Sequence, residues 1–457
     1  MRNLALTAAL ALSALSAPPA VAQTPAAQTP AAPKLTVEQW SLPNGLTVLL
    51  APDARLPVVA VEVRYLVGSG HEVEGRSGFA HLFEHLMFQG SEHHDSEYFA
   101  PFEPIGADVN GTTNVDRTNY YEQVPSQYLE LALWMEADRL RGLLPVMTQA
   151  KLDNQRDVVK NERRQRYEVT PYGEAWLHLA ENVFPKGHPY NHTTIGSHED
   201  LTAASLDDVK GFFRQYYVPA NAVLTLSGDF EVAQAKRWVE QYFGDLPSGQ
   251  RAPKPTAAPV RLEKTVEIVK TDDVKLPRVY LAWPSPAIYA PGDSALDVFA
   301  TLLTDGKSSF LFQPLVYEKK VAKDVAAFQS SQLLSGYFVV MATAAPGQTR
   351  EALAAALFDA LKAALAAPPS QPALDRSLAG WRKSFYGNVE GAMSRAQMLS
   401  GYYHFTGTPN GLEADLARYT ALKPEDIHRA AREHLSLDKY VRIDIVPEGA
   451  APAGAQP

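Results

Sequence analysis

Residues 205–230 read SLDDVKGFFRQYYVPANAVLTLSGDF, and residues 423–448 read KPEDIHRAAREHLSLDKYVRIDIVPE. The two stretches match, with Asp208 opposite Asp426 at an offset of 218. Working outward, Leu56-Pro57 opens the alternating run VVAVEVRYLV, and Leu276-Pro277 opens RVYLAW at an offset of 220. Alternation of apolar and polar residues predicts a half-buried strand in each. A helical stretch follows in both places, residues 77–89 and 294–318. Next come two strand pairs, GADVNGTTNVDRTNYYEQV and VAAFQSSQLLSGYFVVMATA, and then amphipathic helices over 127–142 and 349–366. A nearly constant offset over so many elements predicts an internal duplication. Strands and helices mix without strict alternation, so each half reads as α+β.

The 457 residues are 46% apolar, enough for a sizeable core. A net charge of −9 excludes a dedicated nucleic-acid binder, since nothing would neutralise a phosphate backbone over a broad face. The basic cluster Arg163-Arg164-Gln165-Arg166 reads as a solvated helix face. Arg2, the apolar run 4–17 and Ala20-Val21-Ala22 form a signal peptide cut after Ala22, which predicts a soluble periplasmic protein. No later stretch approaches the ~20 apolar residues of a membrane span. With no cysteine, disulfides and thiolate ligands are excluded, and a transition-metal site must use His and carboxylates. The expected organisation is a signal peptide at 1–22, a Pro/Ala linker at 23–34 and an N-terminal catalytic domain at 35–246. A second linker at 247–262, a homologous domain at 263–449 and a disordered tail at 450–457 complete it.

His81-Leu82-Phe83-Glu84-His85 carries the chemistry. On a helix, residues four apart lie on one face, so both imidazoles reach one ion. Glu84 can then meet a water on the open side of that ion and take its proton. Ala80, Leu82, Phe83, Leu86 and Phe88 make the helix apolar nearly all round. Three ionisable groups there are costly unless they bind something. A catalytic zinc has three protein ligands. Glu162 follows Val158 and Val159 on the helix expected over 148–168 and points inward. The pattern alone leaves two readings open, a ligand or a salt-bridging carboxylate.

H-x-x-E-H reverses the commoner zincin order. With PNGLTVLL at 43–50, GFAHLFEHLMFQGS at 78–91, NQRDVVKNE at 154–162 and HPYNHTTIG at 188–196, the chain resembles the pitrilysin/insulinase family of zinc metallopeptidases, in its processing-peptidase subgroup. In that family 76 residues intervene between the second histidine and the third ligand, as they do between His85 and Glu162. The resemblance implies two homologous α+β halves forming a clamshell around a cleft. One Zn2+ per chain sits on the N-terminal half, held by His81, His85 and Glu162, with Glu84 catalytic. It also implies an edge strand at 108–114 on which a peptide is laid, with Asn110, Gly111 and Thr112 as contacts.

The chain departs from the family in two respects. Gln155 stands where a glutamate often supports the site, and cannot add charge. An Arg and Tyr pair, seven apart, normally comes from the second half. The matching positions read as Tyr337 and Ala344, so the substrate carbonyl would lack that help. The resemblance therefore implies an endopeptidase acting on peptides or unfolded polypeptides as the catalytic subunit of a heterodimer. The sister subunit would carry the Arg/Tyr pair, and this is favoured over a homodimer. The alternatives are a non-catalytic assembly subunit on the same fold, or another metal hydrolase with a second site at His93-His94 or His188 and His192.

Overall fold

The computed structural model describes residues 34–449. The expected signal peptide, the linker up to residue 33 and the tail 450–457 lie outside the described residues. The first half builds a sheet from β1 (Glu38–Ser41), β2 (Thr47–Pro52), β3 (Val58–Tyr65), β4 (Asp108–Thr113), β5 (Thr118–Pro125) and β6 (Ala222–Gly228), in the order β1-β2-β6-β3-β5-β4. Its helices are α1 (Phe79–Leu86), α2 (Leu129–Val146), α3 (Gln149–Arg163), α4 (Glu174–Val183), α5 (His198–Ala203), α6 (Leu206–Tyr216) and α7 (Val232–Phe243). The second half builds a sheet from β7 (Val266–Asp272), β8 (Arg278–Ser285), β9 (Ala322–Ser330), β10 (Gly336–Ala344) and β11 (Val441–Pro447), in the order β7-β11-β8-β10-β9. Its helices are α8 (Asp293–Thr304), α9 (Arg350–Ala364), α10 (Gln371–Glu390), α11 (Ala392–Thr406), α12 (Leu412–Thr420) and α13 (Pro424–His434).

The duplication is visible strand by strand. β2 pairs parallel with β6 as β7 does with β11, and every other pairing from there to β4 or β9 is antiparallel. The two halves form the clamshell fold that the resemblance implied. α6 and α13, the helices of the opening quotation, begin 218 residues apart. Ser205 caps α6 by accepting from Asp208 N, and Asp208 returns a bond to Ser205 N, a reciprocal cap that fixes where the helix starts. The helix expected over 294–318 stops at Thr304, and a separate π-helical turn covers Gln313–Glu318. α8, the counterpart of α1, contains no histidine.

The halves interlock by exchanging a helix. α4 and α11 begin 218 residues apart and are counterparts, yet each packs on the other half's sheet. Ala175, Leu179 and Val183 of α4 join Tyr280, Val339, Val441 and Ile443 in one apolar cluster. α11 covers a mixed face, its Leu399 packing on Leu49, Ala51 and Val223 beside a set of polar contacts. Ser400 Oγ donates to the buried Glu62 at 2.5 Å, Arg64 donates to Gln397 O at 3.0 Å, and Arg395 Nε donates to Ser227 Oγ at 2.7 Å. Period-two alternation explains why β3 serves both sides. Val59, Val61, Val63 and Tyr65 enter the main core, while Glu62 and Arg64 face α11. The stretch 247–262 holds no helix or strand, and Ala252 N donates to Asn221 Oδ1 at 3.2 Å. No helix among the described residues is long and apolar enough to cross a membrane.

Candidate active site

α1 starts where Gly78 takes a left-handed φ of +88°, beside Gly196. A side chain there would meet Ile195 O at 2.8 Å, so the position requires glycine. The first turn has no acidic residue of its own. Glu72 caps the turn instead, its carboxyl oxygens accepting from Gly78 N at 3.0 Å and Ala80 N at 2.7 Å. Burial pushes that carboxyl up to about 8, against the pull of these two N–H groups. Glu72 was not singled out from the sequence. An acidic residue a few positions ahead of an uncapped helix start was the available signal.

The end of α3 meets α1. His85 Nε2 lies 3.2 Å and His81 Nε2 3.7 Å from Glu162 Oε2. Two atoms bound to a tetrahedral zinc at 2.0–2.1 Å stand about 3.3 Å apart, so these separations fit one ion. One ligand atom from each of the three residues lies within 4.8 Å of the other two, and no other such group occurs among the described residues. His93 and His94, and His188 and His192, form no second cluster. His93 Nδ1 pairs with Asp138 at 2.6 Å, and His188 stacks on Phe184. Burial, with His85 beside it, lowers His81 to about 4, so its imidazole is in the neutral form that binds metals. Burial pulls Glu162 upward, but the hydrogen bond from His85 and the Arg166 guanidinium hold it below the usual range.

α3 differs from expectation at its end. Leu152, Gln155 and Val159 are buried, and Val158 is exposed. After Arg163 the chain widens into a π-helical turn over Arg164–Glu168. Arg166, four residues after Glu162 and so on its face of the helix, places Nη1 2.9 Å from Glu162 Oε1. Arg163 turns in as well, onto Gly196 O at 3.0 Å and Glu168 at 3.1 Å. The basic cluster is therefore not a uniformly solvated face, and Glu162 does have a cationic neighbour on its own helix.

Glu84 faces β4, the outermost strand of its sheet. Thr113 Oγ1 donates to Glu84 Oε2 at 2.5 Å. Burial raises the Glu84 carboxyl, and the Thr113 bond opposes that rise. Arg117 Nη1 braces the strand through Thr112 O at 2.6 Å. Side chains alternate along β4, so Gly111 and Thr113 face Glu84, while Asn110 and Thr112 lie on the opposite face. Asn110 Oδ1 accepts from Gly111 N at 2.8 Å, an N–H on the open side of the strand. Thr112 Oγ1 donates to Asn119 Oδ1 at 2.6 Å.

A family model described as Insulinase (Peptidase family M16) matches residues 47–188, and one described as Peptidase M16 inactive domain matches residues 203–380. The chain belongs to the insulinase family. Zinc protease PqqE of Helicobacter pylori is 28% identical over 415 residues, covering 90% of this chain and 93% of that protein. A probable mitochondrial-processing peptidase subunit beta of Arabidopsis thaliana is 23% identical, covering 89% of this chain and 77% of its own. The crystal structure of a protease from Helicobacter pylori superposes with a TM-score of 0.83 at 28% identity, covering 91% of this chain and 100% of that one.

Two further expectations for this insulinase-family chain can be set against its geometry. Gln155 is buried, but its Nε2 donates to Asn154 Oδ1 at 2.8 Å, and among the described residues it bonds neither histidine. Tyr337 and Ala344 lie at opposite ends of β10. Seven residues of strand span about 23 Å, and an odd separation turns the two side chains to opposite faces. Tyr337 faces the cluster shared with α4, and Ala344 faces the second half's own core. β10 therefore cannot present a paired Arg and Tyr to one carbonyl, and placing the pair at these two positions is corrected.

Gly111 is required by close approach. A Cβ there would stand 3.1 Å from Glu84 Cγ and 3.2 Å from Phe88 Cε2. Gly111→Ala should displace Glu84 and lower kcat/KM by roughly 10- to 100-fold, because small misplacements of a reacting group are costly. Zinc content should not change. A fluorogenic-peptide assay beside metal analysis checks both, and undiminished turnover would show that the contact does not position Glu84.

Proposed function

We propose that the chain is a zinc-dependent endopeptidase in which His81, His85 and Glu162 hold one zinc ion and Glu84 is the general base. The observation that supports this most is the convergence of three ligand atoms beside a carboxylate held by Thr113, at the foot of an open edge strand. Zinc bound there supplies Lewis acidity, bringing the pKa of a water toward ~7 and polarising a carbonyl. Glu84 Oε2 takes the water's proton and returns it to the leaving amine. Its raised pKa suits both halves of that transfer. Thr113 keeps the carboxylate aimed while Arg117 fixes the strand. The peptide adds beside β4 through main-chain bonds, and Asn110 Oδ1 yields the Gly111 N–H to the incoming carbonyl. Asn110, Gly111 and Thr112 are the strand contacts, and Gln155 supports the site through α3.

Residues 35–246 and 263–449 are the two homologous domains in this reading, and the segment 1–22 directs export to the periplasm. Short peptides and unfolded polypeptides are the substrates. The partner is a homologous sister subunit that supplies the missing cation and phenol. In support, one relative is named as a processing-peptidase subunit. A purely structural subunit would have no use for four converging motif residues. The test is cleavage of unfolded peptides by the zinc-loaded chain, alone and with such a sister chain. The chain alone should be slow, the pair faster, and a chelator should stop both. Turnover by the chain alone within the ordinary enzyme range of about 1–1,000 s−1 would remove the partner requirement.

A further inference from the structure

β4 leads into a cavity of about 480 Å3. Ligand sites run from about 300 to 1,000 Å3, so this one can hold a large side chain with part of its backbone. Two of its walls belong to the site already described. Thr113 lines it and also holds Glu84. Tyr167 lines it from the π-helical turn that follows Glu162. The far walls come from the exchanged helix α4 and from the start of β10, so the cavity exists because the two halves interlock.

Its lining is uncharged, with aromatic and aliphatic walls beside neutral polar groups such as Thr113, Asn114 and Gln332. Trp176, Phe184 and Tyr337 are set by neighbouring rings. Trp176 stands 5.6 Å from Tyr280 and 5.9 Å from Phe328, and Phe184 stands 6.4 Å from Tyr337. No Asp, Glu, Lys or Arg lines the space, and burial lowers the pKa of its one imidazole, His192. A charged side chain placed here would lose water and find no countercharge. An aromatic or branched aliphatic one would find preformed ring faces.

We propose that this cavity is a specificity pocket that takes a large uncharged side chain, aromatic or branched aliphatic, from a peptide laid along β4. The proposal rests on the peptidase reading and deepens it. It also gives Tyr337 a use. Tyr337, which β10 turns toward α4, is a wall of the pocket.

The test uses the full chain, zinc-loaded and carrying Glu84→Gln so that peptides bind without being cut. Short fluorescein-labelled peptides differ at one position at a time, with Phe, Leu, Ala, Asp or Lys, and affinity is read by anisotropy. At one position Phe or Leu should bind at least about 10-fold more tightly than Asp or Lys. Ala180→Trp, which fills the cavity from α4, should bring those affinities together. Tyr337→Arg should reverse the order and favour Asp, and it decides the matter if Ala180→Trp loses its zinc through misfolding. Equal binding of Phe and Asp at every position would overturn the pocket, as would full discrimination in both variants. Failure of the peptidase reading looks different: no peptide of any sequence binds, and the pocket assignment falls with it.

Discussion

Glu84→Gln should keep its zinc and lose about 1,000-fold in kcat, within the 100- to 10,000-fold range of general acid–base catalysis. The substitution is nearly isosteric. A glutamine oxygen can still accept the Thr113 hydroxyl, which lies 2.5 Å from Glu84 Oε2, so the helix and strand should stay where they are. What is lost is proton affinity, since an amide cannot take a proton from water at neutral pH. The defect should appear in kcat far more than in KM, because the strand that binds the peptide is untouched. Stopped-flow cleavage of a fluorogenic peptide by the active assembly, with zinc measured on the same sample, separates the two quantities. A variant that keeps more than about a tenth of the wild-type kcat would remove Glu84 from the proton transfer.

Glu162→Gln should weaken zinc binding by at least about 100-fold, more than the 10- to 100-fold typical of supporting residues around a metal. The carboxylate gives the cluster its one formal negative charge and lies 3.2 Å from His85 Nε2. Its other oxygen is 2.9 Å from Arg166, whose charge would then face the metal without an anion between them. Glu162 sits near the end of α3 and is partly exposed, so the fold should survive. Zinc at about 100 times its Kd adds about 2.7 kcal/mol to the stability of the protein that binds it. The wild-type Tm should therefore rise with zinc, and that of the variant should not. Competition with a chromophoric chelator gives the affinities directly. Unchanged affinity would take Glu162 out of the metal site.

Much of the fold was legible because the repeat constrains it. The offsets that align 205–230 with 423–448, and Leu56 with Leu276, recur in α6 and α13 and in β3 and β8. The approach of Glu162 to His81 and His85 was legible only through the 76-residue interval, since apolar spacing on α3 could not distinguish a ligand from a salt bridge. The helix exchange was not legible. Amphipathicity tells that α4 and α11 each have a face to bury, but not which sheet receives it. The buried polar set Glu62, Arg64 and Ser227 was a weak sign that something polar covers the first sheet. Arg166 was misplaced because the i,i+4 spacing from Glu162, which puts the two on one helix face, was not applied to the basic cluster. The Arg/Tyr positions were misplaced because strand period was not applied to an interval of seven. Thr113 escaped notice because its hydroxyl matters only through Glu84, twenty-nine residues earlier in the chain.

The central claim is that one zinc ion sits between α1 and the end of α3. Anomalous diffraction from crystals of the zinc-loaded chain, collected at the zinc edge, tests it most directly. The expected map has one strong peak about 2.0–2.2 Å from His81 Nε2, His85 Nε2 and a Glu162 oxygen, with the fourth position open toward Glu84. A map with no peak between these three side chains, or with zinc held by other residues, would contradict it.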